Sequence, residues 1–98
     1  MQGFIDNMID FKRTMEWDKS TLDKYNKMIQ LIPIFHRGIA EKVVNVKAEE
    51  DARARGSSVV QEEDVVRAFF AEAPKDFYNL MISAMGEAAF NYKPYMEK

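Results

Sequence analysis

The sequence predicts an all-α fold, a small bundle of about five helices. Three observations carry that expectation. Apolar residues recur at three-and-four spacing in one segment after another. Pro33, Gly56, Pro74 and Pro94 fall at the joints between those segments. No segment alternates with period two for long enough to read as a strand. The 98 residues are expected to make a single domain. Its kernel, residues 17–72, is a helix, a proline break, a long helix, a glycine turn and a further helix. An amphipathic helix is expected at each end, at 2–15 and 75–92.

In the first segment, Phe4, Met8, Phe11 and Met15 follow at intervals of four, three and four, with Ile5 and Ile9 beside them. That spacing makes one helical stripe, and a helix this short must dock its stripe to be stable. The second helix starts near Ser20, with Ser20 or Thr21 as its cap and Asp23 near the positive end of the dipole. Leu22, Tyr25, Met28, Ile29 and Ile32 form its apolar face, and Pro33 ends it. Pro33 then opens the central helix, about Ile34 to Arg55. The expected inner stripe of that helix is Phe35, Ile39, Ala40, Val43, Val44, Ala48 and Ala52. Lys47–Asp51, Glu49–Arg53 and Asp51–Arg55 are i,i+4 pairs assigned to its wet side. Gly56 can take the left-handed angle that stops it.

Ser57 to Val60 reads as a turn. Glu62, Glu63 and Asp64 then crowd the first turn of the next helix, where the dipole favours carboxylates. Val65, Val66, Ala68, Phe69 and Phe70 are its apolar residues. Pro74 breaks that run and opens the last helix, with Phe77, Leu80, Met81, Ala84, Met85, Ala88 and Tyr92 on one face, and Pro94 ends it.

Composition narrows the chemistry. Fourteen Lys plus Arg oppose sixteen Asp plus Glu, and a net charge of −2 gives no reason to expect a polyanion partner. Cysteine is absent, which removes disulfides, thiolate-held clusters and thiol catalysis from this chain. The N-terminus lacks the basic and long apolar regions of a signal peptide, and no apolar run approaches the roughly 20 residues of a membrane span. The expectation is a cytoplasmic protein.

One pattern is more specific than helix chemistry. It runs from Trp17 through Pro33-Ile34-Phe35-His36-Arg37, a helix with Ala48 and Ala52, and Gly56, to Val60-Gln61-Glu62-Glu63-Asp64-Val65. This pattern resembles the small C-terminal helical domain of the B subunit of light-independent protochlorophyllide reductase, a domain also found alone or fused in anaerobic bacteria. The match covers about half the chain. Gln61 stands where the family usually has Thr, which weakens the expected cap, and His36 stands where Val is common. The reductase's large catalytic domains, cluster ligands and nucleotide-binding partner have no counterpart in these residues. The resemblance therefore implies a fold and a docking role beside an oxidoreductase complex, and it does not carry over protochlorophyllide reduction. A weaker likeness is to the histone fold. There the arginine that pairs with the last-helix aspartate aligns with Ser57.

The candidate residues follow. No catalytic, cofactor-binding or metal-ligating set is expected, so the chain reads as a non-enzyme without a cofactor. His36, the only histidine, is expected at the start of a helix, partly exposed, with no second ligand in view. Arg37 and Trp17 are candidates for a structural clamp or an anion contact. Arg37 would pair with Glu41, Glu63 or Asp64, or else bind a tetrapyrrole propionate or a partner's carboxylate. Trp17 would seal the bottom of the core. Glu49, Glu50 and Asp51 read as a solvated helix face. Six of the seven methionines lie outside the matched pattern. Soft side chains at both ends nominate Phe4, Met8, Phe11, Met15, Phe77, Met81, Met85 and Tyr92 as a surface for a protein partner or a second copy. Three functions are open on these grounds. The first is an accessory or assembly subunit binding a larger protein through its end helices. The second is a tetrapyrrole-type ligand module, and the third is histone-like nucleic-acid binding.

Overall fold

The computed structural model describes residues 13–96. Those residues are mostly helical and contain four α-helices. They are α1 (Lys19–Leu31), α2 (Ile34–Ala54), α3 (Glu62–Glu72) and α4 (Tyr78–Glu87). One-turn 3-10 helices at Lys75–Phe77 and Lys93–Tyr95 flank α4. Of the expected first helix, residues 2–12 lie outside the described residues, and residues 13–15 are not helical.

Two short strands correct the strand-free reading. β1 (Glu16–Trp17) and β2 (Val59–Val60) pair in parallel, with Trp17 opposite Val60, and Asp18 N–H donates to the Val60 carbonyl at 2.9 Å. Two residues are too few to show an alternating pattern. The pairing arises because α1 and α2 return the chain beside its own start. It ties the entrance of α1 to the exit of α2.

The caps also differ from expectation. Asp18, not Ser20 or Thr21, caps α1, accepting from both the backbone N–H and the hydroxyl of Thr21 at 3.0 Å. Pro33 precedes α2, and Gly56 adopts φ +80° just past its end. The last helix is shorter than its pattern. It ends at Glu87, and Ala89 takes φ +69° so that Phe90 N–H reaches the Met85 carbonyl at 3.0 Å. That reversal places Phe90 in the core, and a continuous helix to Tyr92 could not do so.

The core sits where α1, α3 and α4 meet the C-terminal half of α2. Tyr25, Met28, Val44, Ala48, Ala52, Val65, Val66, Phe69 and Met85 are all buried there. Small alanines on α2 let α3 lie close along it, the role expected of them. Trp17 and Tyr25 stack at 5.1 Å with a 57° tilt, an aromatic geometry that stabilises beyond simple burial.

Candidate functional site

α2 divides into two regions. Its C-terminal half holds polar groups that are consumed by the fold. Glu49, only 4% exposed, accepts from Thr14 N–H at 3.1 Å, Thr14 hydroxyl at 2.7 Å and Trp17 indole N–H at 3.0 Å. Arg53 lies 3.6 Å from the same carboxylate and donates to the Thr14 hydroxyl at 2.7 Å. Burial pushes the Glu49 carboxyl pKa up, but the hydrogen bonds from Thr14 and Trp17 outweigh it and hold the pKa below the usual carboxylate value. Reading Glu49 as part of a solvated face is therefore corrected. It is the anchor between the N-terminal strand and α2, and the missed signal was Trp17, whose indole needs an acceptor once buried.

Arg55 supplies the second polar tie. Its Nε and Nη2 donate to the two oxygens of Asp64 at 2.8 and 2.7 Å, a bidentate pair, and Glu63 lies 3.5 Å away. Asp64 is fully buried and also accepts from Gln61 N–H at 2.8 Å, which closes the start of α3. The hydrogen bond to Asp64 raises the Arg55 pKa. Two expectations are corrected together. Arg55 does not pair with Asp51, and the arginine that joins the last-helix aspartate is Arg55, not the position of Ser57. Lys47–Asp51 does form, at 3.7 Å.

Arg37 is a clamp of another kind. Its Nε donates to the Ile32 carbonyl at 2.9 Å and its Nη2 to the Gln30 carbonyl at 2.7 Å. It covers carbonyls left open at the end of α1, and its partners are not Glu41, Glu63 or Asp64. Tyr25 donates its hydroxyl to the Glu41 carbonyl at 3.2 Å, and burial, then the Glu41 charge, raises its pKa. Asn45 is buried with an Oδ1 that has no donor among the described residues. A polar hollow contains Asp18, Glu62 and Glu63. Their carboxylates are already engaged by Thr21, by Lys24 and Asn91, and by Arg55 and Arg67.

The N-terminal half of α2 is different. Phe35 is 83% exposed and Ile39 70%, although both were expected in the inner stripe; Ile34 is likewise exposed. Beside them lies an apolar groove of about 320 Å³ between the end of α1, the first turns of α2, the end of α3 and α4. Leu31, Ile39, Phe77 and Leu80 form its exposed walls, and Met28, Val44, Phe69 and Met81 its floor. Among the described residues, His36 and Glu72 are the only ionisable ones along it. The His36 ring is exposed and sits 5.8 Å from Phe77.

The partner-binding candidates scatter. Phe4, Met8 and Phe11 lie outside the described residues. Met15 and Tyr92 are half-buried against the core, and Met81 and Met85 are buried, so the latter two are core residues and not contact residues. Among the described members of the set, Phe77 alone is exposed, at the groove's rim. Among the described residues no three His, Asp or Glu side chains gather as a metal site, and no helix is long and apolar enough to cross a membrane. No family model, curated protein or solved structure matches this chain.

Proposed function

We propose that this protein is a non-catalytic accessory subunit that docks a larger protein in the apolar groove between α2 and α4. The observation that carries this is the contrast in how side chains are used. The well-placed charged groups Glu49, Arg55, Asp64 and Arg37 are all engaged by the fold. Large apolar side chains at Leu31, Ile39, Phe77 and Leu80 stand exposed along one groove. Contiguous apolar surface rimmed by polar residues marks interaction sites, and a groove of this kind suits an amphipathic helix of a partner. The resemblance to the reductase domain supports an oxidoreductase complex as the setting. The contact residues differ from those the end helices suggested, because Met81 and Met85 are committed to the core.

The groove and His36 also favour a second reading, a flat apolar ligand of tetrapyrrole type. Arg37 adds little to it, since two of its donors already serve backbone carbonyls. Affinity isolation with the native chain and with Leu80→Asp tests the first reading, after both are shown to unfold at the same temperature. A protein retained by the native chain and lost by Leu80→Asp supports docking. An identical set of retained proteins overturns it. Porphyrin titration followed by Trp17 fluorescence tests the second, and no response at micromolar ligand overturns that one.

A further inference from the structure

Only two residues separate α1 from α2. Ile32 and Pro33 have φ of −82° and −53°, already in the helical range, and ψ of 138° and 141°, which turn the chain back. Two ψ angles therefore set whether α1 folds back beside α2 or runs on into it. Proline disfavours the helical angle at Ile32 and bends a helix that contains it. The straightened form is thus one long, kinked helix.

The contacts that hold α1 in place join residues before this hinge to residues after it. Trp17 pairs with Val60 across the two strands, its indole donates to Glu49 at 3.0 Å, Lys24 reaches Glu62 at 2.9 Å, and the Tyr25 ring lies 6.1 Å from Phe69. A second copy offers the same acceptors and the same apolar seat. Exchange of residues 13–31 between two copies keeps every one of these contacts. Trp17 and Tyr25 are both buried, and aromatic side chains bury roughly 150–250 Å² each. Two exchanged units, with the surfaces that receive them, therefore reach the roughly 1,200–2,000 Å² of a stable interface.

The exposed apolar side chains point to the same occupant. Leu31 on α1 and Phe35, Ile39 and Val46 on α2 are exposed, at intervals of four, four and seven. That spacing makes one helical stripe when the helix runs through the hinge. The folded-back hinge cuts Leu31 off from the other three. We propose that this chain forms a two-fold dimer in which residues 13–31 of each copy pack on residues 34–96 of the other, with the two Leu31–Phe35–Ile39–Val46 stripes face to face. Arg37 opposes the exchange, because its bonds to the Gln30 and Ile32 carbonyls clamp the folded-back hinge. In the straightened helix those carbonyls accept from Ile34 and His36 N–H instead. The tether keeps the chain folded back at low concentration, and the dimer accumulates as concentration rises. Dimer formation is separate from partner docking. Leu80 lies on α4, off the stripe, so Leu80→Asp leaves the dimer fraction unchanged.

Glu16 stands opposite Val59 in the strand pair, and adjacent strands lie about 4.8 Å apart, within reach of a disulfide. The chain has no cysteine of its own. The variant carrying Glu16→Cys and Val59→Cys therefore reports which chain supplies each strand. It is refolded from urea at high micromolar concentration, its mass is measured by light scattering, and it is oxidised mildly and run on a denaturing, non-reducing gel. The expected result is the mass of two chains, with a covalent dimer as the main product. A monomer mass overturns the proposal, and so does a dimer mass with disulfides closed inside single chains. Two hinge variants of the cysteine-free chain, each first checked for cooperative unfolding, give a second reading. Inserting Gly-Ser-Gly-Ser between Ile32 and Pro33 relaxes the reversal and should lower the dimer fraction several-fold. Arg37→Ala should raise it several-fold. A dimer fraction that neither variant changes overturns the exchange.

Discussion

The two halves of α2 have the same apolar spacing and opposite fates. From Val44 to Arg55 the helix lies against α3, buries Ala48 and Ala52, and turns Glu49 and Arg55 into ties to the N-terminal strand and to α3. From Ile34 to Val43 it borders the groove, and Ile34, Phe35 and Ile39 are exposed. The comparison teaches that periodicity defines which residues form a stripe, and the neighbours decide whether that stripe is covered. One end of a helix can thus be locked into the fold while the other borders an open apolar groove.

Asp64→Ala should have the largest effect and would break the comparison if it did not. It leaves Arg55 without its buried partner and opens the start of α3, at a cost of about 3–5 kcal/mol by urea unfolding. A loss under about 1 kcal/mol would mean that the C-terminal half is not held together by this pair.

Glu49→Gln comes next, at about 2 kcal/mol, because charge-assisted bonds from Thr14 and Trp17 become neutral ones. The same residue sets an acid limit. Its folded pKa lies below its unfolded value, so its contribution is present above the unfolded carboxylate pKa, about 4.3, and fades as pH falls through the lower folded value. Urea midpoints measured between pH 6 and pH 3 should fall in the native protein and fall less in Glu49→Gln. Tyr25 acts at the other extreme. Its folded pKa is raised, so its contribution is intact below about pH 10 and is lost as pH rises further.

Ala89→Gly should stabilise the protein by about 0.5–1 kcal/mol, since glycine accepts a left-handed angle that strains alanine. A raised melting temperature checks it. The smallest change in stability belongs to the exposed half of α2. Phe35→Ser should change the free energy of urea unfolding by less than about 0.5 kcal/mol, because the side chain is exposed. A loss well above that value would break the comparison, because the exposed half would then be held by the fold as the other half is.

Much of the helical plan could be read in advance because its signals are local. Pro33 and Gly56 bound α2, and the stripe Tyr25, Met28 and Ile29 buries as its spacing requires. The misreadings cluster where a residue's partner lies far away in sequence. Glu49 finds Thr14 and Trp17 more than thirty residues back. Arg37 caps carbonyls of the preceding helix, and Met85 is taken into the core and not left for a partner.

By itself, then, the sequence determined the helical class and the joints between helices, both consequences of backbone preference and side-chain period. Only the tertiary structure decided which end of α2 is covered, which carboxylates are buried and where an apolar groove opens. Those outcomes depend on contacts between residues far apart in the chain, and no local spacing encodes them.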